Sequence, residues 1–162
     1  LKAVEECVEE NDDVRDITAI FDGSWQRRRH ASLNGVVTAI AANVSKVVDV
    51  RVLSKYCRCK GKLQNIHDDN CTDNYDGTSG GMETAGVVDM FKSSQETYGI
   101  RYKYVLGDGD SAAYPTVVAE QPYGPDISIE KLECIGQVQK RIGARLRRLI
   151  VEYNSVFSNR SQ

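Results

Sequence analysis

Apolar positions recur along this chain with two periods, and the switches between them divide it into elements. The run Ile17-Thr18-Ala19-Ile20-Phe21 has strand composition and ends at Asp22-Gly23. Two further apolar runs, 35–42 and 46–53, are separated by Asn43-Val44-Ser45, so three antiparallel strands in succession are expected. In the third run Val48, Val50 and Val52 alternate with Asp49 and Arg51, the period of a half-buried strand. At 82–98 the period lengthens: Val87, Met90, Phe91 and Tyr98 stand at helical spacing, and Gly99 supplies the stop. A short strand (101–106) ends at Gly107-Asp108. A helical segment interrupted by Pro115 (111–120), a loop marked by Pro122 and Pro125, and a fifth strand (127–132) follow.

The last element, 136–153, is amphipathic. Val138, Ile142, Leu146, Leu149, Ile150 and Tyr153 fall within about 120° of one another, with Lys140, Arg141, Arg145, Arg147 and Arg148 outside that arc. Three strands, a helix, a strand, a helical segment, a strand and a long helix predict an α/β layer structure around a central sheet. Residues 1–16 are acidic and weakly periodic, a lead-in helix or linker. Residues 17–162 are the core, and 54–81, rich in Cys, His, Asp, Asn and Gly, are an insertion within it.

With 162 residues, 41% apolar and 27% charged, the chain reads as one soluble globular domain. A net charge of -2 announces no nucleic-acid partner, so any DNA contact rests on local patches. Arg27-Arg28-Arg29 directly after the first strand is one such patch, and Lys140 and Arg141 on the last helix belong to another, although a helix face of this kind is also ordinary solvated surface. The opening segment is charged, and no apolar run approaches the ~20 residues of a membrane span, so no membrane partner is expected. Without an initiator Met, the chain is read as an excised or processed piece.

Asp22 and Asp108 each follow an apolar strand and precede a glycine. Asp-Gly after a strand is common turn chemistry. Carboxylates at neighbouring strand ends can also share two Mg²⁺ or Mn²⁺ ions, hard cations that prefer oxygen ligands and promote phosphodiester cleavage. The repeated pattern favours the second reading. A separate group, Cys57-x-Cys59 with His67 and Cys71, offers three thiolates and an imidazole, a set that suits a structural, four-coordinate Zn²⁺ and would organise the polar insertion. Thiols on a loop, or a Cys57–Cys71 disulfide formed on oxidation, are the other readings. Five cysteines, an odd number, fit a reducing compartment.

Several segments resemble the Mutator-like transposase domain: Phe21-Asp22-Gly23-Ser24-Trp25-Gln26-Arg27-Arg28, Ser32-Leu33-Asn34-Gly35-Val36-Val37, Leu53-Ser54-Lys55-Tyr56-Cys57, Ser79-Gly80-Gly81-Met82-Glu83, Leu106-Gly107-Asp108-Gly109-Asp110-Ser111, and Leu132-Glu133-Cys134 leading into Gln139-Lys140-Arg141. They occur in order from about Ile17 to Tyr153. The resemblance implies a ribonuclease H-like fold, a DDE acidic triad, a zinc-binding insertion, and a nuclear protein that cuts and joins DNA at transposon ends, with a homo-oligomer as a further expectation. It makes Asp22 the first acid and Asp108 the second, with Asp110 as the alternative. The family's Cys-x-x-His pair is broken, because Cys134 is followed by Gln137, and an amide cannot titrate. The third acid is expected beyond a further helical region, and nothing marks Glu152 as that residue. This leaves a domesticated, non-catalytic DNA-binding or interaction module as the alternative function, and a small zinc-dependent binding protein as a more distant one.

Overall fold

The computed structural model describes residues 2–26, 32–57, 59, 71–107, 112–133 and 135–158; for 136–138, 140, 141 and 154–158 it describes the backbone alone. The described residues form, in chain order, α1 (Lys2–Glu9), β1 (Asp16–Trp25), β2 (Asn34–Ala41), β3 (Lys46–Ser54), a 3₁₀ turn (Ser79–Gly81), α2 (Met82–Tyr98), β4 (Arg101–Gly107), α3 (Ala113–Glu120), β5 (Glu130–Glu133) and α4 (Ile135–Ser158). The strands form one mixed sheet in the order β3-β2-β1-β4-β5. β1–β2 and β2–β3 are antiparallel, as adjacent runs joined by short connections must be; β1–β4 and β4–β5 are parallel and joined through helices.

The core lies on one side of the sheet. Ile17 and Ala19 of β1 and Val37, Ala39 and Ala41 of β2 are buried there, together with Met82, Val87, Met90 and Phe91 of α2. At Gly86 a Cβ would lie 2.7 Å from Val37 Cγ2, so a side chain there would push α2 away from the sheet. Phe21, Phe91 and Tyr102 form a ring cluster with centroids 5.3 Å apart. α1 adds Val4, Cys7 and Val8 to the same core, and the Cys7 thiol donates to Asn43 Oδ1 at 3.1 Å. Pro115 sits in the first turn of α3, where the absent N–H costs no helical bond, so it begins this helix rather than interrupting it.

Two sequence expectations are corrected by the ladders. β1 does not end at Asp22-Gly23. Its pairing with β4 stops at Ala19, but its ladder with β2 continues from Asp22↔Thr38 to Trp25↔Gly35, which keeps the strand extended. In β3 the half-buried alternation would turn Val48, Val50 and Val52 inward. A bulge opposite Ala39 and Ile40 inserts one residue and moves the later positions to the other face. Val48 and Asp49 are buried in consequence, while Val50 and Val52 are exposed. The Asp49 carboxylate is satisfied internally: it pairs with Arg51 and accepts from Tyr98 Oη (3.3 Å), Tyr102 Oη (3.5 Å) and the Val50 amide (2.8 Å). Burial is the main reason the Tyr102 hydroxyl holds its proton far more tightly than a free tyrosine, with the Asp49 charge adding to it.

Candidate functional site

A cavity of about 220 Å³ opens where β1 and β4 part company, between the sheet, α2 and α3. Phe21, Val87, Phe91, Val105, Ala113 and Val117 form its apolar lining. Asp22, Glu83 and Lys131 bring charge to it, and Gly107, the last residue of β4, lies on its rim. Parallel strands leading into a cleft beyond their carboxyl ends, next to a crossover, are a common site for ligands in α/β sheets.

Asp22 is exposed and sits on the central strand, where β1 has lost its neighbour on the β4 side. Glu83, in the first turn of α2, reaches down to it. A Cβ on Gly23 would stand 2.9 Å from Glu83 Oε2, so glycine at 23 makes room for this carboxylate. Burial raises the proton affinity of Glu83, and the charge of Asp22 raises it further. The helix N-terminus favours the anion, yet the net direction is upward. Glu83 was not singled out from sequence. An acid in a helix's first turn usually serves the dipole alone, and only Gly23 on β1 hints that a side chain must fit beside that strand.

A folded pKa above the unfolded one means that the native state holds this proton more tightly. Stability from Glu83 is therefore complete at low pH and falls as pH rises from the ordinary value of 4.5 through the raised one. Glu83→Gln is expected to raise the melting temperature modestly at neutral pH and to leave it unchanged below about pH 3.5, where the wild-type carboxyl is also neutral. Melting curves at the two pH values check this; a gain that persists at acid pH would show that charge is not its cause.

The second candidate centre lies on the segment after β3. Cys57, Cys59 and Cys71 place their sulfurs within 4.8 Å of one another, with Cys57 Sγ and Cys71 Sγ 3.5 Å apart. That separation is too long for a disulfide and close to the ~3.8 Å between sulfurs on a tetrahedral zinc. The segment is tied back to the sheet: the Asn74 side chain accepts from the Ser54 amide at 2.7 Å and donates to Val52 O at 2.9 Å. Trp25, half-buried against the core, reaches across from β1 to donate Nε1–H to Ser79 O at 2.9 Å.

Of the residues expected to carry function, the structure places Asp22 and brings the three cysteines together. Asp108, Asp110, Arg27, Arg28, Arg29 and His67 lie outside the described residues. Lys140 and Arg141 belong to α4, whose backbone alone is described there.

Fold and site together define an α/β protein with a carboxylate-bearing cleft beside its central strand and a separate three-thiol group of metal-binding geometry. The sequence matches the Mutator-like transposase family over residues 1–162, and the chain belongs to that family. No curated protein and no solved structure matches it. Its function is thus transposase-derived.

Proposed function

We propose that this chain carries the DNA-cleaving centre of a DDE-type transposase on a ribonuclease H-like sheet, with Asp22 and Asp108 as its paired metal ligands. The observation that carries the reading is the placement of Asp22, Glu83 and Gly107 around one cavity. Gly107 is two residues past Val105 as Phe21 is two past its partner Ala19, and Asp108 follows Gly107 as Asp22 follows Phe21. Strand order and direction, with two antiparallel pairs leading into two parallel ones, support the ribonuclease H-like assignment.

The donor set fits a hard divalent cation: Asp22 offers exposed carboxylate oxygens, and Glu83 stands beside it in a site that raises the cost of its uncompensated charge. Asp110 is the alternative to Asp108. Two Mg²⁺ or Mn²⁺ ions, when bound, would activate the attacking hydroxyl and neutralise the leaving oxygen of a phosphodiester. The chain's own part is to hold and orient. Asp22 and Asp108 fix the cations, Glu83 supplies a further oxygen at the cleft wall, and the apolar lining limits water behind them. Arg27, Arg28 and Arg29, next to β1, neutralise DNA phosphates, and Lys140 and Arg141 extend that contact along α4. Cys57, Cys59 and Cys71, with His67 as the fourth ligand, hold a structural Zn²⁺. The protein works in the nucleus, on transposon ends.

Calorimetric titration with Mn²⁺ tests the centre. The wild-type chain is expected to bind, Asp22→Asn to lose at least tenfold in affinity, and Glu83→Gln to lose less. Unchanged Mn²⁺ binding in Asp22→Asn would defeat the assignment.

A further inference from the structure

The chain's single tryptophan stands between the cleft and the thiol group. Trp25 is the last residue of β1, three positions past Asp22, and its ring runs back along the strand. A Cβ on Gly23 would meet the ring edge (Cη2, 3.1 Å) and the Glu83 carboxylate (Oε2, 2.9 Å) at once, so Trp25 and Glu83 close on one point beside Asp22. The indole Nε1–H donates to Ser79 O at 2.9 Å, and the same carbonyl accepts from the amide of Met82, the first residue of α2. Gly81, the N-cap of α2, has no side chain with which to cap it. The start of the helix therefore takes its position from the Ser79–Gly81 turn that Trp25 holds.

That turn is the far end of the cysteine segment. Directly after Cys71, Thr72 Oγ1 donates to Tyr56 O at 2.6 Å. The amides of Asn74 and Tyr75 donate to Ser54 O at 2.9 and 3.1 Å, and Tyr75 Oη donates to Thr78 O at 3.2 Å. Thr78 in turn caps the Ser79–Gly81 turn through its side chain. The path from the thiols to the first turn of α2 is short and hydrogen-bonded at each of these steps.

We propose that Trp25 is a positioning residue that couples the two centres. A metal on the thiol group fixes the segment that ends at Ser79, Trp25 pins that end to β1, and Glu83 is thereby held against Asp22 in the cleft. This rests on the cation sites proposed for the cleft and for the thiol group. Without a metal, a polar segment with little core of its own loses order. One hydrogen bond of modest net strength then has to hold the turn alone. Ordering one centre favours the other, and by linkage the effect is reciprocal.

Two titrations test the coupling, on the chain stripped of zinc under reducing conditions and on the chain loaded with one equivalent. In the first, zinc is added to the stripped chain while Trp25 emission is followed. The emission is expected to shift to the blue and its quenching by acrylamide to fall, both saturating at one zinc per chain. Emission that ignores zinc would overturn the coupling. In the second, Mn²⁺ is titrated calorimetrically into both forms; it prefers oxygen ligands to thiolates, so it reports on the cleft. Zinc loading is expected to raise the Mn²⁺ affinity of the wild-type chain about fivefold or more. Equal affinity in the two forms would overturn the coupling.

Trp25→Phe keeps a ring beside Gly35 but donates no N–H. It is expected to hold zinc as the wild type does, and to bind Mn²⁺ with the affinity of the stripped wild type whether zinc is present or not. A ring that acts through packing alone would weaken both forms alike and leave the zinc dependence in place, and that result would overturn the coupling. If Trp25→Phe fails to fold by circular dichroism, Tyr75→Phe replaces it, removing the bond to Thr78 O. The zinc dependence is then expected to fall by about half or more; no fall would overturn the coupling. Should no form bind Mn²⁺, the cation reading of the cleft fails by itself, and the emission titration still decides whether Trp25 answers to the thiol group.

Discussion

Phe91→Ala is expected to cost the fold about 3–5 kcal/mol. Phe91 is 1% exposed, and its ring stands 5.3 Å from those of Phe21 and Tyr102 and 5.9 Å from that of Tyr123. Truncation leaves a void at the meeting point of α2, β1 and β4, and its neighbours cannot collapse freely. Tyr123 Oη is fixed by the Tyr102 amide (2.9 Å) and by Ser94 Oγ (2.7 Å), and the backbone of β1 is held in the sheet. At this chain length each kcal/mol moves the midpoint by roughly 2–4 °C, so a fall of about 10 °C is expected in a thermal melt. Because Phe91 and Phe21 also line the cleft beside Asp22, Mn²⁺ binding should weaken in the same variant even well below its melting temperature. A shift under about 1 kcal/mol would mean that the ring cluster is not the centre of the core.

The second large effect concerns the thiol group. Cys57→Ser is expected to remove stoichiometric zinc, because serine supplies no thiolate and two cysteines with one histidine leave the tetrahedral set incomplete. Structural zinc contributes roughly 10 kcal/mol or more of local ordering in small metal-organised segments. The stretch from Cys57 to Cys71 should therefore become protease-sensitive while the sheet remains folded, its core being built from other residues. Zinc content by atomic emission and limited proteolysis, with and without a chelator, check this. A chain that carries no zinc when purified under reducing conditions, or whose cleavage pattern ignores chelation, would contradict the assignment.

What could be read from sequence followed from how local its cause was. The helix at 82–98 was legible to the residue, since its end is fixed by Gly99 in the left-handed conformation (φ 66°). Strand order was approachable because short connections leave few pairings for β1, β2 and β3. Asp49 was hidden by a bulge: a one-residue insertion reverses inside and outside, and the alternation carries no sign of it. The far end of β1 extends four residues past Phe21, where aspartate and glycine look like a turn but the ladder to β2 keeps them extended. Glu83 meets Asp22 only through the crossing of α2 over β1, a tertiary fact. The amphipathic character of α4 was visible in the spacing of Ile142, Leu146 and Leu149; that its apolar stripe is uncovered was not, because periodicity says which face is apolar and nothing about what meets it.

Under the proposed function, Asp22 and Asp108, far apart in sequence, converge on cations at the rim of one sheet. A crystal structure of the chain grown with Mn²⁺, with anomalous scattering recorded at the manganese edge, tests it most directly. Anomalous density is expected between the two carboxylates, with Glu83 on the same side of the cleft. Ordered Asp22 and Asp108 side chains on opposite edges of the sheet, with no manganese between them, would contradict it.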